Sequence, residues 1–326
     1  MLSEVMDYFE FERELDHLGF FATDEHRHLE KELQRIIRQG RLVVLSGIVG
    51  CGKTTTIGRL QQDLKQGKNV IVSRSLAVDK ERVSLSTLIA ALFYDLSTEK
   101  DSKMPTQPER RERKLLGLIQ KCRKPVVLFV DDAHGLHHQT LVRLKRLIEL
   151  VRQDQGILSV VLAGHPKLKN DLRRPTLEEI GARTSVFSLG GIRGRQREYI
   201  EWVLAQATQN PNSPTDLVTE EALEILAERL VTPLQIEQYL TLAFEAAYRV
   251  GQRPVTKDIL ETALAYGLDD LEPHLVRHGY NVKTLAELLN VRHKEVRSFL
   301  QGQLPPGRTQ ELKEQMLKMG IPLLVG

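Results

Sequence analysis

At 326 residues, the chain is long enough for a full α/β core and one or two smaller domains. Its hydrophobic (41%) and charged (27%) fractions match an ordinary globular protein, and its two cysteines, Cys51 and Cys122, exclude a disulfide scaffold and a CxxC metal knuckle. The net charge of +3 excludes nothing by itself, but residues 274–326 carry eight Lys/Arg against four Glu, a basic segment after a neutral body.

The N-terminus, MLSEVMDYFEFERELDHLGFF, is acidic and has no basic stretch ahead of an apolar core. No apolar run approaches the roughly 20 residues that cross a bilayer, so a cytoplasmic protein without a membrane partner is expected. Residues 24–40 predict an amphipathic helix, with Leu29, Leu33, Ile36 and Ile37 at helical spacing and Gly40 ending it. The apolar strand RLVVLSG (41–47) follows, then a helix from Lys53 to about Lys65 and a strand over 69–75. A helix over 84–97 leads to the polar segment 98–113, expected as a loop grading into a helix that runs to Cys122. The wholly apolar strand PVVLFVDD (125–132), a helix over 137–153, the strand ILSVVLAG (157–164) and a short strand near 184–189 complete five strands. Apolar strands alternating with helices predict a parallel sheet covered on both faces, an α/β fold. After Gly194 the strand signals stop. Three or four helices follow to about residue 267, broken near 210–216, at Thr232-Pro233 and at 251–254, and residues 281–323 are helical again.

The sharpest motif is GIVGCGKTT (47–55), which fits the P-loop spacing G-x₄-G-K-T between a predicted strand and a predicted helix. Its glycines let the backbone N–H groups of Gly47, Val49, Gly50, Cys51, Gly52, Lys53, Thr54 and Thr55 curl around phosphates at a helix N-terminus. Lys53 neutralises the β- and γ-phosphates, and the Thr54 hydroxyl is a ligand for Mg²⁺, so ATP and Mg²⁺ are the expected cofactors. A carboxylate at the tip of a buried strand beside such a loop orients the metal's hydration shell, a role assigned to Asp131. Asp132 then stands where a base polarises the attacking water. It is one methylene shorter than glutamate, so nucleotide binding with slow hydrolysis is expected. The alternative for Asp132 is a cap on the following helix.

With these residues in place, the body resembles the AAA+ ATPases of the ExeA-like group, with the MuB, TnsC and TniB transposition regulators as relatives. The resemblance rests on residues 26–60, on VVLFVDDAHGL (126–136), on VVLAGHPKLKNDL (160–172) and on ARTSVFSLGGI (182–192), and covers roughly residues 20–265. It implies a P-loop AAA+ domain over 1–192 with an N-terminal helical extension, a helical lid over 193–268 and a basic helical domain over 269–326. It places His165 at the sensor-1 position beside Asp131, although a Gly-His-Pro turn is equally consistent with a structural histidine. It places Arg183 where an arginine finger reaches a neighbouring subunit's site; a surface ion pair is the plainer alternative. The family often carries Pro-Arg at the start of a lid helix, whereas here Thr232-Pro233 is followed by Leu234 and Gln235. The resemblance also brings Arg74, Lys80 and Arg82 to the segment that contacts duplex DNA in the transposition ATPases.

The basic tail, at TLAELLNVRHKEVRSFLQG (284–302), resembles a helix-turn-helix. Its second helix would turn Arg292, Lys294 and Arg297 outward for phosphates or base edges. Protein contact or simple capping of the fold remain open for the same residues. The expected function is an ATP-dependent, oligomerising ring or filament on double-stranded DNA, a regulator or target-selection partner of a transposase. A secretion-associated ExeA-like ATPase, a replication initiator or loader, and a non-hydrolysing switch are its rivals.

Overall fold

The computed structural model describes residues 1–76, 83–97, 104–173, 177–208, 214–264, 271–319 and 321–323. The chain divides into a sheet unit, Asp24–Gly47 with Lys53–Leu189, and a helical unit, Met1–Thr23, Ile48–Gly52 and Gly190–Gly326.

The sheet unit holds β1 (Leu42–Ser46), β2 (Ile71–Arg74), β3 (Val126–Val130), β4 (Leu158–Gly164) and β5 (Ser185–Ser188). They form one parallel sheet in the order β2-β3-β4-β1-β5. Every residue of β1, β3 and β4 is buried, as expected for strands covered on both faces, while the edge strand β5 alternates half-buried and exposed. Register aligns Leu42 with Val160 and Ser46 with Gly164, so β1 and β4 end level with each other. The helix Asp24–Ile37 buries Leu33, Ile36 and Ile37 as the spacing predicts. It is clipped to the sheet through buried Ser159, whose hydroxyl donates to the Ile37 carbonyl (2.7 Å) and accepts from the Arg41 N–H (3.0 Å). Gly40, at φ +68°, makes the turn between them. The helix Leu85–Leu96 is capped by the Ser84 hydroxyl, which accepts from the Thr87 N–H. The expected loop over 98–113 resolves at its end into the helix Pro108–Cys122; residues 98–103 lie outside the described set.

In the helical unit, residues 1–23 group with residues 48–52 and with those from Gly190 onward. The physical reason is aromatic packing. Phe9 and Phe11 lie with ring centroids 4.8 and 4.9 Å from Phe244 in the helix Pro233–Arg249, all three fully or nearly fully buried. Around them pack the helices Ser3–Phe9, Gln196–Ala207, Glu220–Arg229 and Lys257–Leu264. A separate small core of Leu275, Tyr280, Leu285, Val296, Phe299, Leu312 and Met316 unites Leu271–Arg277, Val282–Leu289, His293–Leu300 and Pro306–Lys318. Asn281 caps the second of these through its side chain, and Asn290, at φ +53°, ends it in the left-handed conformation that a tight helix-turn-helix corner needs. Among the described residues no helix is long and apolar enough to cross a membrane.

If the N-terminal aromatics anchor the helical unit, Phe9→Ala should lower stability by about 3–5 kcal/mol in urea denaturation. A loss below about 1 kcal/mol would mean that the N-terminal helix merely lies on the surface.

Candidate functional site

In the parallel sheet, β4 lies between β1 and β3, so the C-terminal tips of these three strands form one edge. Ligands in open α/β sheets bind outside such an edge. Gly47 follows β1, Asp131-Asp132 follow β3, and His165 follows β4. The Gly47 N–H donates to the Gly164 carbonyl at 3.1 Å, tying the first P-loop residue to the end of β4. Gly164 itself admits no side chain cheaply: a Cβ there would meet the His134 nitrogen and a Leu168 methyl at 3.1 Å.

Lys53 is buried at the start of the helix Lys53–Gly67, and its ammonium donates to the Gly47 carbonyl at 2.8 Å. The lysine thus folds back across its own loop, the posture from which an ammonium meets β- and γ-phosphates. The Thr54 hydroxyl donates to Asp131 Oδ2 at 2.7 Å, while Asp131 Oδ1 accepts the Asp132 N–H at 2.9 Å. Two hard oxygen donors from separate elements therefore stand side by side, the pairing a hydrated Mg²⁺ accepts. Thr55 is exposed one residue further along the same helix.

Asp132 adopts φ +52°, a left-handed conformation that Asp tolerates better than most residues, and the short turn Ala133–Gly135 follows it. Its side chain makes no capping bond to that turn. His134, two residues after Asp132, carries no mark in the local sequence pattern but joins the site. Its ring stacks on His165 at 3.9 Å and 12°, and Asp132, His134 and His165 bring one donor atom each within 4.8 Å of one another. Face-to-face stacking directs the imidazole lone pairs side by side rather than toward one point. The trio therefore suits orienting a water better than closing a metal shell.

Arg183 sits immediately before β5, on the opposite edge of the sheet from Asp131. Five residues of β1 separate these edges by about 16 Å. Arg183 donates to Glu149 Oε1 at 2.9 Å, so the ion-pair alternative is met. The pair borders a cavity of about 280 Å³ whose rim also carries Arg41, Lys145 and Arg152.

In the helical unit, the loop residues Ile48–Gly52 meet the lid. A Cβ on Gly50, which has φ +79°, would come within 2.5 Å of Leu234 Cβ and 3.0 Å of the Thr232 hydroxyl. The Leu234 N–H faces the Gly50 carbonyl at 3.4 Å. The Val49 N–H, expected among the phosphate donors, is instead given to the Arg277 carbonyl at 2.9 Å. Cys51 is buried beside Gly191, in keeping with a small loop residue. Arg277 was counted in the sequence only as one charge of the basic tail, and nothing in its local pattern marks it.

Of the nucleic-acid candidates, Arg74 is exposed at the end of β2, Arg292 is exposed at the N-cap of the second helix of the helix-turn-helix, and Lys294 and Arg297 are exposed on that helix, whose Val296 and Phe299 are buried. Lys80 and Arg82 lie outside the described residues.

Residues 35–172 match the family described as AAA domain. A 148-residue stretch, 44% of this chain, is 33% identical to general secretion pathway protein A of Aeromonas hydrophila. That stretch spans 26% of the relative's length. The fold is similar to that of Cdc6p from Pyrobaculum aerophilum, with TM-score 0.53 and 15% identity over 97% of this chain and 90% of that one. It is also similar to Drosophila ORC bound to DNA, with TM-score 0.56 and 15% identity over 96% and 82% of the two chains. The ORC1 protein of Aeropyrum pernix, in complex with DNA, gives TM-score 0.52 and 14% identity over 95% and 88%.

The helix Leu271–Arg277 carries a titration signature. Burial first, then the neighbouring His278 and Arg277, push His274 down from its usual 6.5 to about 4. Its ring lies 4.6 Å from His278, which burial also lowers. A depressed histidine is neutral when folded and protonates on unfolding, so its contribution is complete above about pH 6.5 and is lost as pH falls toward 4. His274→Gln should therefore flatten the decline of the urea midpoint between pH 7 and pH 5. Equal declines for variant and parent would remove His274 as the cause.

Proposed function

We propose that the chain is an AAA+ ATPase that binds Mg-ATP, assembles with copies of itself and in that state holds double-stranded DNA. The observation that carries the nucleotide part is the Thr54–Asp131 bond at 2.7 Å, beside a buried Lys53 folded over Gly47. Thr54 and Asp131 would hold Mg²⁺, which supplies charge neutralisation on the phosphates. Lys53 adds a second cation there, and the loop N–H groups fix the phosphates in place. Asp132 and His165 stand where an attacking water is oriented, with His134 stacked behind His165 to fix its plane.

Arg183 lies on the far edge of its own sheet, which favours action on a neighbouring subunit over action on its own site. Positive charge added in this way stabilises a phosphoryl-transfer transition state strongly. Mixing Arg183→Ala with Lys53→Ala, each inactive alone, should then restore a fraction of parental turnover, because one interface in the mixture keeps both groups. Mixtures as inactive as their parts would remove Arg183 from catalysis in trans.

For DNA, the support is the exposed Arg292, Lys294 and Arg297 on a capped helix-turn-helix, together with the DNA complexes among the proteins of similar fold. Regulation of a transposase, with the target chosen through the DNA-bound assembly, is the finer role we favour. A replication-initiator role is the second reading, favoured by the Cdc6 and ORC folds spanning the C-terminal helices as well as the sheet. The secretion role rests on the 148-residue match alone.

Duplex affinity should rise at least about tenfold with ATP over ADP and fall steeply between 50 and 200 mM salt, as phosphate contacts release counterions. Affinity unchanged by nucleotide would sink the proposal, and a footprint confined to one sequence would move it toward the initiator reading.

A further inference from the structure

We propose that the groove between the helices Leu85–Leu96, Pro108–Cys122 and His138–Gln153 docks a partner protein through a short, acidic, amphipathic helix. The groove lies wholly within the sheet unit and does not depend on the nucleotide site.

The groove encloses about 430 Å³. Its floor is apolar: Ile89 and Leu147 are buried members of the sheet unit's core, and Leu85 packs half-buried against them. At the mouth, Leu150 is left 37% exposed. Side chains three, four and seven positions apart share one helix face, so Arg143, Arg146, Leu147 and Leu150 line the groove together.

The charge around that floor is one-sided. Arg111, Arg143 and Arg146 border it against a single carboxylate, Glu112. Arg111 donates to the Pro105 and Thr106 carbonyls, at 3.2 and 2.8 Å, which engages its guanidinium without cancelling its charge. Arg143 and Arg146 are exposed, and among the described residues neither side chain has an ion pair or a hydrogen bond. Two other cations of the same helix do find partners. Lys145 faces Glu149 at 3.5 Å, and Arg152 donates to the Gly40 carbonyl at 2.7 Å. Arg143 and Arg146 are left to an anion from outside.

The apolar floor decides what kind of anion that is. A nucleic-acid backbone meets arginines with phosphates and sugars and has nothing to fill an apolar cavity. An amphipathic helix brings apolar anchors at helical spacing along with its charges. Carboxylates one turn apart on such a helix match Arg143 and Arg146, whose Cβ atoms are about 5–6 Å apart by their spacing. Each planar guanidinium can then hold a carboxylate through paired, charge-assisted hydrogen bonds. Burial of Leu150 and the floor supplies affinity, and the charge pairs fix the register.

The experiment is selection of displayed random peptides on the full chain, followed by fluorescence anisotropy with the enriched peptides. These should be acidic, with apolar residues at helical spacing. The double variant Arg143→Glu, Arg146→Glu should bind them at least about 20-fold more weakly than the parent. Exchanging the peptide's carboxylates for lysines should restore binding to that variant and abolish it for the parent, which separates lost charge from lost folding. Leu150→Asn should weaken parental binding about fivefold, the loss of one apolar contact. Duplex DNA is the second probe: at about 0.15 M salt, where remote charges are screened, the double variant should bind it within about threefold of the parent. No enrichment of acidic peptides, or enriched peptides that bind the double variant as tightly as the parent, would overturn the proposal. A loss of duplex affinity as large as the loss of peptide affinity would also overturn it, by assigning the groove to nucleic acid.

Discussion

The candidate chemistry hangs on the shared C-terminal edge of three parallel strands, with β4 in the middle. Because Ser46 aligns with Gly164, the chain leaving β1 is tied by the Gly47 N–H to the last carbonyl of β4. Because Val130 aligns with Leu162, the two residues after β3 reach the same edge. The Thr54–Asp131 bond is then a geometric result of register, joining residues 77 apart in sequence through hydrogen bonds that neither of them makes. Gly164 is part of the same constraint, since even a methyl group there would press on His134 and disturb its stack with His165.

The helical unit answers a different demand. A P-loop needs glycines for its curvature, and a glycine leaves a gap where a side chain would be. At Gly50 that gap is filled by Leu234 and Thr232, so the residue that permits the curve also admits the lid. The main-chain bond from Val49 to Arg277 adds a second tie on the adjacent residue. On the proposed reading, the C-terminal helices are linked to nucleotide state through this loop, and an effect of ATP on DNA affinity has a physical route.

Much of this was legible in the sequence, for identifiable reasons. The strands β1, β3 and β4 announced themselves because they are buried on both faces and read as apolar runs, and the phosphate loop because its spacing sat between a strand and a helix. The helix-turn-helix was readable from Leu285, Leu289, Val296 and Phe299, which are buried, and from the turn at Asn290. What escaped depends on pairings that no local pattern encodes. Val5 and Phe9 advertise a buried face but not the Phe244 that covers it. Arg277 looks like any surface cation until its carbonyl is found on Val49. Arg183 could be placed before a strand, but its Glu149 partner lies on another helix 34 residues earlier.

The aromatic cluster of Phe9, Phe11 and Phe244 has a bearing on how the chain is made. The helical unit is assembled from residues 1–23, 48–52 and everything after 190, so its first and last pieces are separated by the whole sheet unit. During synthesis the N-terminal aromatics emerge long before Phe244 does. They must remain exposed while roughly 200 residues are added, at several residues per second. Closing so long a loop adds little to the equilibrium cost but delays the pairing, because contacts of high sequence separation form late. The acidic residues interleaved with these rings, Asp7, Glu10, Glu12 and Glu14, supply like charge along the waiting segment, a natural guard against aggregation.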